Sequence, residues 1–254
     1  MNRLARCLAL LCLLCGAAAP AWAAGPEVVT IPLGFSNAYL IKAPRPVLVD
    51  AGGKHDGPAL QAALQAEGVA LSDLAAVIVT HGHSDHAGGV AAIQALGGKV
   101  VVLGQGDVPM AHAGRNGELV PVNLTARLLK LLPLDPRYTP FAPEVVVVAP
   151  LDLSRFGIAG QVLQMPGHTP GSLVVLLADG RAFVGDMMLG GCLGGALFPS
   201  RAGEQYFQFD QARNRSQIVE LLRRPVHTFY LGHGGPVNRA SVLSGFDLAD
   251  PRQP

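Results

Sequence analysis

The sequence predicts an α/β protein built as a four-layer αβ/βα sandwich, in which two sheets pack face to face and helices cover their outer surfaces. Short apolar runs bounded by Gly, Pro and Asp, which are typical of strands, recur along the chain. Amphipathic helical stretches accompany the runs, and this order of strands and helices is given roughly twice over. Two sheets that bury runs such as VVVV and VIV, with helices outside them, cover every apolar surface.

The first 23 residues differ from the rest of the chain. Two arginines form a basic start, an uncharged apolar run covers residues 8–19, and residues 21–23 (AWA) have the small-x-small form of a cleavage site. This pattern is typical of a secretory signal peptide, and the run is shorter than the roughly 20 apolar residues that span a bilayer. We therefore expect a secreted or periplasmic protein whose mature chain starts near Ala24.

Removal of residues 1–23 changes two counts that bear on function. It takes away two arginines and no acidic residue, so the formal net charge of +1 becomes −1. Such a charge gives no reason to expect nucleic acid or, after cleavage, a membrane as partner, and a small-molecule substrate is expected instead. It also takes away three of the four cysteines, so Cys192 stands alone and we expect no intrachain disulfide.

The elements of the first half alternate between strands and helices. Strands are expected at residues 28–33, 38–41, 46–49, 75–79 and 99–103. Helices are expected at residues 57–68 and 87–96. From Gly104 to Pro143 the pattern lapses, and only residues 123–132 (NLTARLLKLL) form a strong helical stretch. A segment of this length between regular elements is usually functional or flexible.

The second half repeats the pattern. Strands are expected at residues 144–148, 160–165, 172–177, 181–185 and 227–231. Helices are expected at residues 210–223 and from about residue 237. No linker or low-complexity stretch divides the chain, so we expect one domain over residues 24–254.

The stretch HGHSDH places four candidate metal ligands directly after the predicted strand AAVIVT. A turn at a strand end can bend several side chains toward one point, and imidazole and carboxylate are the ligands that zinc prefers where thiolate is absent. Asp85 and His86 lie close to the first helical turn and can face a different point from His81 and His83. One cluster can thus serve two neighbouring metal ions.

Three further candidate ligands occur in the same setting. His168 lies in PGHTPGS, Asp186 in FVGDMM and His233 in LGHGGPV, each near the end of an apolar strand. Neighbouring glycines let the backbone come close to a metal ion. We expect all seven side chains to converge on one edge of the sandwich.

HGHSDH, PGHT, GD and GHG, in this order, make the chain resemble the metallo-β-lactamase-fold hydrolase superfamily, from NAYLI (37–41) to GHGGPV (232–237). The resemblance implies the metallo-β-lactamase fold and a second role for Asp50 in LVDAG, which would support the ligands from behind. It also implies two ligand sets and a bridge between them. The first set is His81, His83 and His168, the second is Asp85, His86 and His233, and the bridge is Asp186.

The resemblance implies a dinuclear hydrolase with two zinc ions, for which iron or manganese are alternatives. Two metal ions about 3.5 to 4 Å apart lower the pKa of a shared water to about 7 and present hydroxide at neutral pH. Asp85 is the candidate for handling the proton. We expect the bridging hydroxide to attack a small ester, thioester or lactone.

Several alternatives remain open on the sequence. They are β-lactam hydrolysis, an iron-dependent sulfur dioxygenase, and a metal-binding module without catalysis. Hydroxyacylglutathione hydrolases share the HxHxDH pattern but carry a further helical domain, whereas 21 residues follow His233 here. The leucines of residues 123–132 either line the metal cleft as an apolar wall or merely cover the sheet.

Four other residues of ligand type are not expected to bind metal. Asp186 already occupies the strand end, so Cys192, six residues later, is interpreted as a small loop residue. His55 is expected in a solvated loop and His227 at the start of a strand. His112 lies in the irregular segment, where nothing supports a contact with substrate.

Overall fold

The computed structural model describes residues 25–97 and 99–253, so the predicted signal peptide lies outside the described residues. The described chain forms two six-stranded sheets and a separate two-stranded hairpin. Within these residues, no helix has both the length and the apolar character needed to cross a membrane.

The first sheet has the strand order β1-β2-β3-β4-β5-β6. Its first three strands are antiparallel neighbours, whereas β3 to β6 run parallel to one another. The strands are β1 (Glu27–Leu33), β2 (Ser36–Lys42), β3 (Val47–Val49), β4 (Ala76–Ile78), β5 (Val100–Gly104) and β6 (Val145–Val147).

Helices connect the parallel strands of this sheet, because parallel neighbours need a crossover rather than a tight hairpin. They are α1 (Gly57–Ala66) between β3 and β4, α2 (Ser84–Ala87) and α3 (Val90–Gln94) between β4 and β5, and α4 (Val108–Ala113) and α5 (Leu124–Leu129) between β5 and β6.

The second sheet has the strand order β14-β13-β10-β9-β8-β7. Its strands are β7 (Leu151–Asp152), β8 (Gly160–Gln164), β9 (Leu173–Leu177), β10 (Arg181–Gly185), β13 (Thr228–Leu231) and β14 (Val237–Asn238). The hairpin strands β11 (Leu189–Cys192) and β12 (Leu197–Gly203) follow β10, and the helices are α6 (Gln211–Leu222) and α7 (Arg239–Gly245).

Three separate apolar layers show that the protein is a four-layer sandwich. Side chains of a strand alternate between its two faces, and in β2 Leu40 faces the helices of the first sheet while Tyr39 and Ile41 face the second sheet. A third layer packs the outer face of the second sheet against α6 and α7. The predicted αβ/βα architecture is therefore confirmed.

Some elements differ from the prediction. The sequence showed no helix at Val108–Ala113, where α4 forms, and the predicted helix at residues 87–96 starts earlier, at Ser84, and breaks at Gly88 and Gly89. A Cβ atom on Gly88 would lie 2.4 Å from the Lys54 backbone nitrogen, so the chain passes the neighbouring loop too closely for a side chain. The short strands β7, β11, β12 and β14 were also missed, because two to seven residues with mixed polarity give no clear period.

The sheets bring several strand ends to one edge of the molecule. The parallel strands β3, β4 and β5 end there in the first sheet, and the parallel strands β10 and β13 end there in the second. The backbone of Leu173 donates a hydrogen bond to the Thr80 carbonyl at 2.7 Å, and Asn37 donates one to the Gly232 carbonyl at 2.8 Å. These bonds hold the two sheets together at the edge where the candidate ligands follow.

Replacement of Phe183 by Ala is expected to lower the free energy of unfolding by about 3 to 5 kcal/mol. Phe183 is fully buried in the layer between the sheets, and its ring centroid lies 5.2 Å from that of Tyr39 and 4.8 Å from that of Tyr230. Urea unfolding measures the change. The control is Phe35→Ala, at a ring that is 80% exposed, where about 0.5 kcal/mol or less is expected. Equal losses in the two variants would contradict this account of the core.

Candidate metal centre

The structure brings all seven predicted ligands together at the edge where the strands end. They form three overlapping groups, within each of which the ligand atoms lie at most 4.8 Å apart. The groups are His81, His83 and His168; Asp85, His86 and His233; and His81, His86 and Asp186. The first two groups coincide with the two predicted ligand sets, and Asp186 lies between them.

Hydrogen bonds fix the rings of the first group. The Thr80 hydroxyl donates to Asp50 Oδ2 at 2.8 Å, so its oxygen is available to accept a hydrogen bond from His81 Nδ1 at 3.1 Å. His168 Nδ1 donates to the Phe207 carbonyl at 2.8 Å. The remaining nitrogens, His81 Nε2 and His168 Nε2, therefore face the group with their lone pairs. His81 Nε2 has no partner among the described residues, and His168 Nε2 lies within hydrogen-bond distance of His83 Nδ1, at 3.1 Å.

Burial keeps the imidazoles of the first group neutral. It lowers the pKa of His81 well below its usual range and that of His83 to about 3, and neighbouring imidazoles add to both shifts. Burial also lowers the pKa of His168. Neutral imidazole is the form that binds a metal ion.

The two imidazoles of the second group face two carboxylates, those of Asp85 and of Asp186. His86 Nδ1 donates to Asp50 Oδ2 at 2.9 Å, which turns Nε2 toward Asp85 Oδ2 at 3.6 Å and Asp186 Oδ1 at 3.5 Å. His233 Nδ1 donates to the Phe35 carbonyl, and its Nε2 lies 3.3 Å from Asp85 Oδ2 and 3.2 Å from Asp186 Oδ2. Each imidazole is thus oriented from behind and presents Nε2 to the carboxylates.

Unlike the neutral first group, the second group carries charge. Burial alone would lower the pKa of His86, but the carboxylates of Asp85, Asp186 and Asp50 raise it to about 9. Burial likewise opposes the charge on His233, and Asp186 and Asp85 raise its pKa well above the usual range. Burial would raise the pKa values of both carboxyls, yet the imidazolium charges hold them below their usual range. The protons on His86 and His233 thus balance the two carboxylates, as a divalent cation can also do.

The polar atoms at the centre fit a metal ion. His81 Nε2, His86 Nε2 and Asp186 Oδ1 are buried and have no hydrogen-bond partner within the described part of the chain. Buried polar atoms without a partner are rare, because each costs about 1 to 3 kcal/mol. Imidazole nitrogens and carboxylate oxygens are ligands that zinc accepts, so metal ions here would satisfy atoms that the protein leaves unpaired.

The sequence did not single out Gln205, which holds the central carboxylate. Gln205 Nε2 donates to Asp186 Oδ2 at 2.6 Å, while its Oε1 accepts a hydrogen bond from the Tyr206 backbone nitrogen at 2.8 Å. The second bond fixes which end of the amide faces Asp186. Gln205 lies in an irregular stretch between β12 and α6, where no pattern of the sequence marks it.

The other ligand-type residues lie elsewhere. Cys192 is half-buried at the end of β11 and belongs to none of the three groups. His55 and His112 are exposed. The exposed His227 has its ring nitrogens within hydrogen-bond distance of the Thr228 hydroxyl and the Asp179 carbonyl. These placements agree with the interpretation of all four residues as outside the metal centre.

Three of the four leucines in residues 128–132 point away from the sheet, whereas Leu129 is half-buried. Leu128, Leu131 and Leu132 are 60%, 80% and 53% exposed. Just before α5, the backbone nitrogen of Val122 donates to the Tyr206 carbonyl at 3.0 Å. The segment is therefore attached beside Phe207, whose carbonyl accepts from His168.

Comparison with known proteins gives similar sequences among hydrolases. The chain is 30% identical over 213 residues to a hydroxyacylglutathione hydrolase of Methylobacillus flagellatus, which covers 82% of this chain and 66% of that protein. It is 31% identical over 172 residues to the probable metallo-hydrolase YflN of Bacillus subtilis, with 61% of each chain covered. The chain thus spans about two thirds or less of the length of these relatives.

Solved structures share the fold. The metallo-beta-lactamase family protein TTHA1429 of Thermus thermophilus superposes with a TM-score of 0.64 at 23% identity, covering 88% of this chain and 77% of that one. The B3 metallo-beta-lactamase BLEG-1 superposes with a TM-score of 0.62 at 24% identity, covering 89% and 98%. The family model of the metallo-beta-lactamase superfamily matches residues 31–233. The chain therefore belongs to the metallo-beta-lactamase superfamily.

Proposed function

We propose that the protein is an exported dinuclear zinc hydrolase that cleaves a small ester, thioester or lactone. The observation that carries this proposal is the pair of ligand groups joined through Asp186, with buried nitrogen and oxygen atoms that lack a partner among the described residues. A closed structural zinc site needs four ligands and no room for water. Seven converging ligands, of which Asp85 and His233 are partly open to solvent, favour a catalytic centre over a storage or structural site.

In this proposal His81, His83 and His168 hold one zinc ion, and Asp85, His86 and His233 hold the other. Asp186 contacts both groups, because its Oδ2 lies 3.7 Å from His168 Nε2 and 3.2 Å from His233 Nε2. When bound, two such ions would supply a water of lowered pKa and polarise the substrate carbonyl.

Asp85 is the residue best placed to handle the proton. Its side chain is 40% exposed, whereas that of Asp186 is 6% exposed. The Asp85 carboxylate therefore reaches both the ligand group and the solvent from which substrate arrives. The neighbouring imidazoles keep its pKa low, so it is ionised at neutral pH and can accept a hydrogen bond from a water molecule beside the ligand group.

The proposed substrate class rests on the relatives and on the exposed leucines. The relative from Methylobacillus flagellatus is named a hydroxyacylglutathione hydrolase, and by that name it acts on an acylated glutathione. Leu128, Leu131 and Leu132 are exposed, and their segment is attached to the loop beside His168 through Val122, so these side chains are available to contact the apolar part of a substrate. Export rests on the sequence pattern of residues 1–23 alone.

Replacement of Asp186 by Ala is expected to reduce bound zinc from about two ions per chain to one or fewer, because the variant loses the carboxylate shared by both groups. Cys192→Ala, the matched control, is expected to keep both ions, since Cys192 lies in none of the ligand groups. Elemental analysis of the purified mature protein measures both. If only the cysteine variant loses a metal ion, the ligand assignment is wrong.

The zinc-loaded protein is expected to hydrolyse at least one member of a panel of esters, thioesters, lactones and β-lactams. His83→Ala is expected to lower that activity at least about 100-fold, because it removes a buried ligand of the first group. Rates are measured under the same conditions for both proteins. Turnover no higher than that of His83→Ala on every compound contradicts hydrolysis, and a preparation that holds one iron ion per chain favours the dioxygenase alternative.

A further inference from the structure

Asp107 is a buried carboxylate that the candidate metal centre does not include. It lies in the short 3-10 turn that follows β5 and has no exposed surface. Its Oδ2 accepts hydrogen bonds from the Gly82 backbone nitrogen at 2.8 Å and from the Thr169 hydroxyl at 2.7 Å. Its Oδ1 accepts one from the Gly171 backbone nitrogen at 2.7 Å.

These three donors belong to the two loops that carry the first ligand group. Gly82 stands between His81 and His83, and Thr169 directly follows His168. We propose that Asp107 is a positioning residue for the first metal site, because its one carboxylate fixes the distance between the loop of His81 and His83 and the loop of His168. The inference rests on the proposed function, since it assigns Asp107 a role toward the zinc ion of that group.

The hydrogen bonding explains why this position holds an acid. The Ser172 hydroxyl accepts from the Thr169 backbone nitrogen at 2.9 Å and donates to the Thr169 hydroxyl, which in turn donates to Asp107. All three partners of Asp107 are therefore donors, and a carboxylate has only acceptors. An asparagine of the same shape would point its own NH2 group at one of these donors.

Burial makes the negative charge of the Asp107 carboxylate costly. Burial raises the pKa of Asp107 to about 6, although the hydrogen bonds from Thr169, Gly82 and Gly171 lower it in part. The structure gives Asp107 no salt-bridge partner among the described residues. A cation at the neighbouring ligand group would stabilise the buried negative charge.

The backbone of the turn that carries Asp107 packs closely against the loop of His168 and leaves the carboxylate little room to shift. A Cβ atom on Gly104 would lie 1.8 Å from the Gly171 carbonyl oxygen, and one on Gly106 would lie 2.3 Å from the Pro170 carbonyl carbon. The turn that carries Asp107 thus touches the loop of His168 directly. Gly82 is held at its carbonyl as well as at its nitrogen, because the carbonyl accepts a hydrogen bond from the Tyr138 hydroxyl at 2.8 Å.

The test compares Asp107→Asn with the wild type in three measurements on the mature protein. They are zinc affinity by competition with a chromophoric chelator, the visible absorption spectrum after loading with cobalt, and the melting temperature of the metal-free protein. We expect Asp107→Asn to lower the zinc affinity of the first site about 10- to 100-fold, because loss of a group that orients ligands has an effect of this size. We also expect a changed cobalt spectrum and an unchanged zinc affinity at the second site.

Two control variants separate positioning from simple loss of structure. Asp152 accepts from the Ser154 backbone nitrogen and hydroxyl in an exposed turn away from the ligand groups, so Asp152→Asn should change neither affinity nor spectrum. If Asp107→Asn does not fold, Thr169→Val replaces it as the milder test. Thr169→Val should lower the zinc affinity of the first site. Thr169→Ser should keep the wild-type affinity, because Ser has the hydroxyl that donates to Asp107.

The outcomes distinguish this inference from the proposed function. If the wild type binds no metal ion, the proposed function fails and the role of Asp107 fails with it. If the wild type binds two zinc ions and Asp107→Asn keeps both affinities and the cobalt spectrum, only the role of Asp107 is overturned. The role of Asp107 is also overturned if Asp107→Asn lowers the zinc affinity of both sites equally, or if Thr169→Ser lowers it as much as Thr169→Val.

Discussion

The hydrogen bonds of the Asp50 carboxylate are the interaction on which the candidate centre depends. Asp50 follows β3 in a left-handed backbone conformation, with φ at +60°, which Asp tolerates better than most residues. Its Oδ1 accepts from the Thr80 backbone nitrogen and its Oδ2 from the Thr80 hydroxyl and from His86 Nδ1. Through Thr80 it also orients His81, so one buried side chain connects two strand ends and reaches both ligand groups.

The two groups meet the cost of burying polar atoms in different ways. The first group is three neutral imidazoles that burial keeps unprotonated. The second group balances the carboxylates of Asp85 and Asp186 with protonated His86 and His233. Both arrangements leave atoms that a divalent cation would satisfy, because a cation accepts the lone pairs of the first group and replaces protons in the second.

The sequence alone predicted the fold class and the seven candidate ligands, for reasons that the structure makes plain. Parallel strands end at the same edge of a sheet, so His81 in the first sheet and Asp186 in the second were each expected at such an edge. The packing of the two sheets brings these edges together. Leu40 and Ile41 face opposite sides of their sheet, and such alternation along a strand is a local pattern that the sequence itself shows. Residues 1–23 lie outside the described structure, and their role as a signal peptide stays a prediction.

Only the tertiary structure decided what surrounds the ligands. Gln205 and Asp107 lie in segments without a period, and the atoms that they contact belong to distant parts of the chain. Residues 123–132 followed a helical pattern, but the pattern could not show that Leu128, Leu131 and Leu132 would be exposed. The candidate ligands could be proposed from the sequence because each of them follows a strand, whereas their orientation depends on long-range hydrogen bonds that form only when the two sheets pack together.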